Sequence, residues 1–194
     1  MMRNRRGFTL IELLIAIAVI AVIVTLAAPS FSDFILRQRV KSVSAQVVTD
    51  LQFARSEAAA RSVPVRVRFL RNVPNRSCYV LYVGNARECN CTDVPVCPVG
   101  AQEIRTAGVD PSLRVRISTA MNPEEFSYDP ATGAMVFAPD DAEGGGSVEF
   151  VVNTAAVKVN NDADVQRSLR AVVNMSGRPG VCTPVGSTMG GTPC

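Results

Sequence analysis

Three patterns of apolar and polar positions follow one another along the 194-residue chain. Residues 8–28 are almost continuously apolar, residues 36–58 carry apolar side chains every three or four positions, and beyond Pro64 apolar and polar residues alternate. Apolar side chains every three or four positions lie on one face of a helix, and alternating apolar and polar residues are typical of a half-buried strand. The sequence therefore predicts an α+β protein. A long N-terminal α-helix, its first half transmembrane, packs on a mostly antiparallel β-sheet C-terminal domain.

The helix is predicted from residue 8 to residue 61, because no glycine or proline interrupts residues 30–63. Its apolar stripe comprises Leu36, Val40, Val43, Val47, Leu51, Ala54 and Ala58. Strands are predicted at residues 65–69, 77–83, 113–117, 133–137, 147–152 and 169–175. The sequence Tyr-Asp-Pro-Ala-Thr-Gly at residues 128–133 is typical of a turn, so we expect a hairpin there.

The apolar run at residues 8–28 has about the 20 residues that a helix needs to cross a bilayer. The seven residues before it contain Arg3, Arg5 and Arg6, and the positive-inside rule keeps such a segment cytoplasmic. Glu12 lies near the start of the run. A carboxylate in hydrocarbon costs roughly 2.5–3.5 kcal/mol, so such residues usually have a function.

Two ordinary interpretations of this segment leave something unexplained. A secretory signal peptide could be cleaved near Ala27 and Ala28, but the run is long for its apolar region. A plain membrane anchor accounts for the length. Neither a signal peptide nor a plain anchor accounts for Glu12. An anchor also does not account for the amphipathic stretch that follows.

The third interpretation rests on the motif Arg5-Arg6-Gly7-Phe8-Thr9-Leu10-Ile11-Glu12. It resembles the type IV prepilin signal. The resemblance implies that a prepilin peptidase cuts after Gly7 and methylates the new amine of Phe8. It also implies that Glu12 pairs with the N-terminal amine of a neighbouring subunit during filament assembly, since a buried charge is tolerated when it is paired.

Two further stretches resemble the FimT/GspH-type branch of minor pilins and pseudopilins. They are LQFARSEAAARSVPVRV at residues 51–67 and RAVVNMSGRPGVC at residues 170–182. Residues 72–119 match no part of this pattern. The implied organisation is a cleaved leader at 1–7, a transmembrane and assembly helix at 8–28, an amphipathic continuation at 29–63, and a periplasmic, disulfide-containing β domain at 64–194.

The six cysteines favour disulfides, because their number is even and they follow a membrane-targeting segment. They are Cys78, Cys89, Cys91, Cys97, Cys182 and Cys194. Proximity favours a Cys182–Cys194 bridge across the Gly/Pro/Thr-rich ending. The other four are expected to form a second bridge or two with open pairing, although Cys89 and Cys91 lie too close in sequence to bridge each other. A metal site at Cys89, Cys91 and Cys97 is the alternative, but the chain lacks the histidine that commonly completes such a site.

The charge balance argues against non-specific nucleic-acid binding. The chain has 20 basic and 17 acidic residues, and three of the basic ones precede Gly7. Some FimT/GspH-type pilins bind DNA through a Gly-Arg-x-Arg turn, whereas residues 177–180 here read Gly-Arg-Pro-Gly. Arg167, Arg170 and Arg178 are the candidate DNA contacts, and a solvated strand face is the alternative.

No catalytic motif, metal site or cofactor site is predicted, and we expect no enzyme activity. The chain has no histidine for a Ser-His-Asp or Cys-His pair. Acidic stretches at residues 140–143 and 160–164 could supply oxygen ligands to calcium, but their spacing does not fit an EF-hand loop. The alternative is that both stretches are ordinary polar surface turns, which have the same composition.

Three functions are compatible with these features. The first is a minor type IV pilin that helps initiate or cap pilus assembly. The second is a type II secretion pseudopilin near the filament tip, and the third is a DNA-binding minor pilin in natural transformation. All three imply bacterial inner-membrane insertion, processing by prepilin peptidase and contact with other pilins through the N-terminal helix.

Overall fold

The computed structural model describes residues 8–69, 77–85, 87–119, 125–137, 148–154 and 165–194, with backbone alone at 26–30 and 148–154. Gly7 of the predicted cleavage signal and both acidic stretches considered for calcium lie outside the described residues. The chain divides into two compact units, Met1–Ile35 and Leu36–Cys194.

The helix α1 runs from Leu10 to Arg61. It therefore begins two residues after the predicted start and ends at the predicted residue. No helix in the described part of the chain reaches the combined length and hydropathy of a bilayer-spanning segment.

Within the second unit, α1 buries the predicted apolar stripe. Six of its seven members are buried, namely Val40, Val43, Val47, Leu51, Ala54 and Ala58. They pack into one core with residues from both sheets, including Val67, Phe126, Ile117 and Leu169. Burial of this stripe stabilises the helix, because apolar burial supplies more stability than helix propensity does.

The strands of the described residues follow α1 without another α-helix between them. They are β1 (Val65–Phe69), β2 (Ser77–Val83), β3 (Gln102–Val109), β4 (Val115–Thr119), β5 (Glu125–Tyr128), β6 (Met135–Val136), β7 (Val148–Thr154), β8 (Ser168–Val173) and β9 (Pro179–Cys182). A five-stranded sheet has the order β3-β2-β1-β5-β6, and a four-stranded sheet has the order β4-β7-β8-β9. All neighbouring strands pair antiparallel. The predicted α+β class, with a long N-terminal helix packed on mostly antiparallel sheets, is confirmed.

Three of the strands, β3, β5 and β9, were not predicted. Of the strand predicted at residues 133–137 only Met135–Val136 forms, and the strand predicted at residues 113–117 is displaced. β4 starts at Val115 rather than at residue 113, because residues 111–113 form a 3-10 turn. Asp110 caps this turn by accepting a hydrogen bond from the backbone N–H of Ser112, at 2.8 Å. Arg114 then adopts a left-handed conformation with φ of 57°, which separates the turn from the strand.

In the described part of the second unit, four aromatic rings are deeply buried. Tyr79, Tyr82, Phe126 and Tyr128 are the largest fully buried side chains. The ring centroids of Phe126 and Tyr128 lie 5.4 Å apart in an edge-to-face arrangement, which is a favoured geometry for aromatic pairs. The hairpin predicted around residues 128–133 is present as the antiparallel pair β5–β6.

Candidate assembly segment and basic groove

The N-terminus of α1 is fixed by a reciprocal pair of hydrogen bonds between Thr9 and Glu12. The backbone N–H of Glu12 donates to Oγ1 of Thr9 at 3.3 Å, and the backbone N–H of Thr9 donates to Oε2 of Glu12 at 2.9 Å. The Thr9 hydroxyl donates to the same carboxylate oxygen, also at 2.9 Å. This arrangement is a capping box. It places the Glu12 carboxylate beside the peptide group that joins Phe8 to Thr9.

The first unit exposes its apolar side chains along α1. Phe8 is 88% exposed, and every large apolar side chain from Leu10 to Val24 is at least 53% exposed. A continuous apolar surface of this kind is typical of a membrane or protein contact rather than of a solvated helix. The candidate assembly segment, residues 8–25, thus combines an apolar surface with a carboxylate at its amino end.

A second candidate site lies within the second unit, where a groove of about 580 Å³ opens beside α1. We call it the basic groove, because Arg55 and Arg178 line it. Its other walls come from α1, from the β5–β6 turn and from Pro179 at the start of β9. Volumes of about 300–1,000 Å³ are typical of ligand-binding clefts.

Two glycines allow the walls of the basic groove to meet. Gly133 and Gly177 have φ of +66° and +72°, in the left-handed region that other residues seldom adopt. A Cβ atom on Gly177 would lie only 1.9 Å from the carbonyl oxygen of Gly133. That carbonyl also accepts a hydrogen bond from Nε of Arg55 at 3.0 Å, so the turn holds the guanidinium of Arg55 in place.

The β5–β6 turn itself is organised by Asp129. Its Oδ1 accepts hydrogen bonds from the hydroxyl of Thr132 at 2.7 Å, from the backbone N–H of Thr132 at 2.8 Å and from that of Ala131 at 3.1 Å. The bonds from Thr132 lower the pKa of Asp129 below its ordinary value, because they favour the ionised carboxylate. The carboxylate is therefore engaged within the turn.

The three arginines considered for DNA binding occupy different positions. Arg178 lines the basic groove, whereas Arg167 and Arg170 are not among its lining residues. Arg167 ends a 3-10 turn, and Arg170 lies on β8 opposite Cys182 of β9. The sequence had not singled out Arg55, whose place beside Arg178 depends on the tertiary fold. The glycine at 177 was the one available signal of a close backbone approach there.

All six cysteines form disulfides. Cys182 pairs with Cys194, the combination that proximity favoured. Cys78 pairs with Cys91, and Cys89 pairs with Cys97. The last two bridges staple the loop between β2 and β3. Glu125 supports the same loop, since its carboxylate accepts hydrogen bonds from the hydroxyl of Tyr82 at 2.7 Å and from the backbone N–H of Arg87 at 3.1 Å.

Comparison with protein families identifies both units. Residues 2–28 match the prokaryotic N-terminal methylation motif. Residues 44–177, more than half of the chain, match the family of the type II transport protein GspH. The chain belongs to the GspH family. The predicted FimT/GspH-type resemblance is confirmed, and the chain is a minor pilin or pseudopilin of a type II or type IV system.

The two matched regions overlap the two candidate sites of this GspH-family chain. Gly7, Phe8 and Glu12 lie in the methylation motif, and the GspH match extends from α1 to Gly177 and so includes Arg55 and Gly133. Arg178 lies immediately after the matched region. No curated protein and no solved structure matches the chain.

Proposed function

We propose that this GspH-family chain is a minor type IV pilin, a structural subunit that helps to initiate or cap pilus assembly. The observation that carries the proposal is the assembly segment, where an exposed apolar helix surface and Glu12 lie inside the N-terminal methylation motif. The three disulfides of the second unit suit a subunit whose domain functions in an oxidising compartment.

Processing creates the group that Glu12 recognises. Prepilin peptidase cleaves after Gly7, and the free amine of Phe8 is then methylated and keeps its positive charge. In the uncleaved chain Oε2 of Glu12 accepts two hydrogen bonds from Thr9, but no cation neutralises the carboxylate among the described residues. Within an apolar filament core, pairing with the amine of a neighbouring subunit compensates the burial of this charge, and a wrongly docked neighbour leaves the carboxylate unpaired.

The surrounding segments have matching roles in this proposal. Residues 1–7 act as the leader, and residues 8–28 hold the precursor in the inner membrane before assembly. The amphipathic stretch at 29–63 connects to the β domain at 64–194 on the periplasmic side. The basic residues before Gly7 support this orientation through the positive-inside rule.

A type II secretion pseudopilin near the filament tip is the second candidate. The description of the matching family, a type II transport protein, favours it. The same processing, membrane insertion and Glu12 pairing apply to both filaments. The two candidates therefore differ in their neighbouring subunits, and genetics separates them.

The test is a deletion strain complemented with the wild-type chain, with Glu12→Gln or with Glu57→Gln. A minor pilin predicts that the deletion removes surface pili and twitching motility while exoprotein secretion continues. Loss of secretion with intact pili would establish the pseudopilin instead, and normal pili together with normal secretion would contradict both.

The two substitutions separate cleavage from assembly. Glu12→Gln removes the charge that pairs with the amine, so we expect a processed subunit that stays in the membrane and does not restore the filament. Glu57→Gln removes the same charge from a half-buried position of α1 outside the assembly segment, where Glu57 pairs with Arg61 at 2.7 Å, and should complement fully. Full complementation by Glu12→Gln would contradict the pairing role.

A further inference from the structure

The basic groove presents two cations and, among the described residues that line it, no acid. The guanidinium of Arg55 is fixed through Nε on the carbonyl oxygen of Gly133. Its two terminal nitrogens have no hydrogen-bond partner among the described residues, so they are the part of the fork that can bind a ligand. A guanidinium held in this way loses little side-chain entropy when it binds a carboxylate.

The remaining surface of the groove is mainly apolar. Ala59 contributes from α1, Pro130 and Ala131 contribute from the β5–β6 turn, and Pro179 contributes from β9. Asp129, the acid nearest in sequence to this wall, directs its carboxylate to Thr132 and Ala131. Within the described part of the chain, the two arginines are therefore not neutralised by an acid that lines the groove.

We propose that the basic groove binds an acidic peptide segment of a partner protein, with a carboxylate between Arg55 and Arg178 and flanking apolar side chains against Ala59, Pro130 and Pro179. A volume of about 580 Å³ accommodates a few peptide residues. The proposal concerns the second unit alone and does not depend on filament assembly through Glu12.

Charge distribution favours a peptide over a nucleic acid. Without the leader, the basic and acidic side chains balance at 17 each, because Arg3, Arg5 and Arg6 account for the excess. Nucleic-acid binding needs a row of cations that neutralises successive phosphates, and its affinity rises with their number. Two arginines in a groove with apolar walls match one carboxylate and its apolar neighbours better than they match a row of phosphates.

The test uses the full chain, labelled with ¹⁵N and held in a non-ionic detergent micelle. The probe is an N-acetylated, C-amidated Leu-Glu-Leu-Glu-Leu peptide, compared with its Leu-Gln-Leu-Gln-Leu counterpart. We expect the acidic peptide to shift the amide resonances of Gln52, Thr132 and Arg178 in a saturable manner. The glutamine peptide should bind about tenfold more weakly, as expected for loss of charge-assisted hydrogen bonds.

Variants then assign the effect to the two arginines. Arg178→Gln, at an exposed position, should weaken the peptide about fivefold, which is the upper range for a solvent-accessible ion pair. Arg55→Gln should weaken it at least as much, and its unfolding curve checks that the fold is retained. Arg116→Gln is the matched control, because Arg116 is exposed on β4 and does not line the groove.

Three results would overturn the proposal. The first is the absence of any groove shift up to about 10 mM peptide, a concentration that would detect even weak binding. The second is equal affinity for the glutamate and glutamine peptides. The third is stronger binding of a twelve-residue oligothymidylate at the same residues, which would establish a nucleic-acid site.

Discussion

The hydroxyl of Tyr79 donates a hydrogen bond of 2.6 Å to Oδ2 of Asp50, and this bond joins β2 to α1 inside the core. Asp50 is 1% exposed, and Nη1 of Arg105 on β3 binds its other carboxylate oxygen. Arg105 in turn lies over the ring of Phe53, 4.9 Å from its centroid. A buried carboxylate needs such partners, since an unpaired one would cost several kcal/mol.

Substitution of two tyrosines tests this bond. Tyr79→Phe leaves the buried carboxylate of Asp50 without one donor, so the free energy of unfolding should fall by about 1.5–3 kcal/mol. Tyr128→Phe is the matched control, because the buried hydroxyl of Tyr128 has no hydrogen-bond partner among the described residues. That change should leave the unfolding free energy within about 0.5 kcal/mol or raise it. Equal losses in urea denaturation would contradict the assigned role of Asp50.

The close approach of Gly177 to Gly133 predicts a second contrast. Gly177→Ala introduces a Cβ atom 1.9 Å from the Gly133 carbonyl oxygen at a φ of +72°, so we expect a loss of more than about 2 kcal/mol in unfolding free energy. Gly180→Ala should be tolerated, because no described residue other than the two chain neighbours has an atom within 4 Å of the added Cβ. Urea denaturation measures both. If the two alanines were equally well tolerated, the described contact between the turns would be wrong.

The Cys182–Cys194 disulfide is expected to stabilise the C-terminal segment. The bridge closes a loop with a sequence separation of 12 residues, and the chain-entropy model gives about 3 kcal/mol for a loop near this length. The double variant Cys182→Ser/Cys194→Ser should therefore lower the unfolding free energy by about that amount. It should also speed hydrogen exchange at Thr183, whose N–H donates to the carbonyl of Thr192 at 2.8 Å. Unchanged exchange at Thr183 would show that the bridge does not order this segment.

Asp129 predicts part of the acid sensitivity of the fold. Its folded-state pKa lies below the unfolded value of 3.8, so the carboxylate contributes stability above that value and loses it as the pH falls through the folded pKa. Thermal unfolding of the Asp129→Asn variant should therefore show a lower melting temperature than the wild type at pH 7. It should also show a smaller decrease between about pH 5 and pH 2. An identical acid decrease in the two proteins would rule out this role.

The helix and several strands were predictable because their burial is periodic. The stripe from Val40 to Ala58 follows the helical repeat, and β1 alternates strictly between buried and half-buried residues. In both cases a single face of the helix or strand packs against the core, so the apolar residues recur in the sequence with the period of that element. The roles of Gly7 and Phe8 in cleavage and of Glu12 in assembly stay predictions, which rest on eight consecutive positions of the sequence.

The missed strands lack that periodicity for physical reasons. β3 lies at the edge of its sheet and buries only Ala107. All four residues of β5 are buried, including Glu125 and Ser127, so no alternation marks it. β9 begins with Pro179 and Gly180, which are typical of a turn, and is an edge strand, where proline is tolerated.

The basic groove and two of the disulfides depend on tertiary contacts between distant residues. Arg55 and Arg178 line one groove because the β5–β6 turn contacts both α1 and Gly177. The pairing of Cys78 with Cys91 and of Cys89 with Cys97 follows from the path of the loop after β2. Spacing alone left these pairings open, because each combination closes a short loop.

The central claim is that the amine of Phe8 is freed so that Glu12 of another subunit can pair with it. Intact-mass and N-terminal analysis of the chain isolated from membranes or filaments tests this most directly. We expect one species that begins at Phe8 and carries a single added methyl group. A mature protein that retains Met1, or one that begins near Ala28, would contradict it.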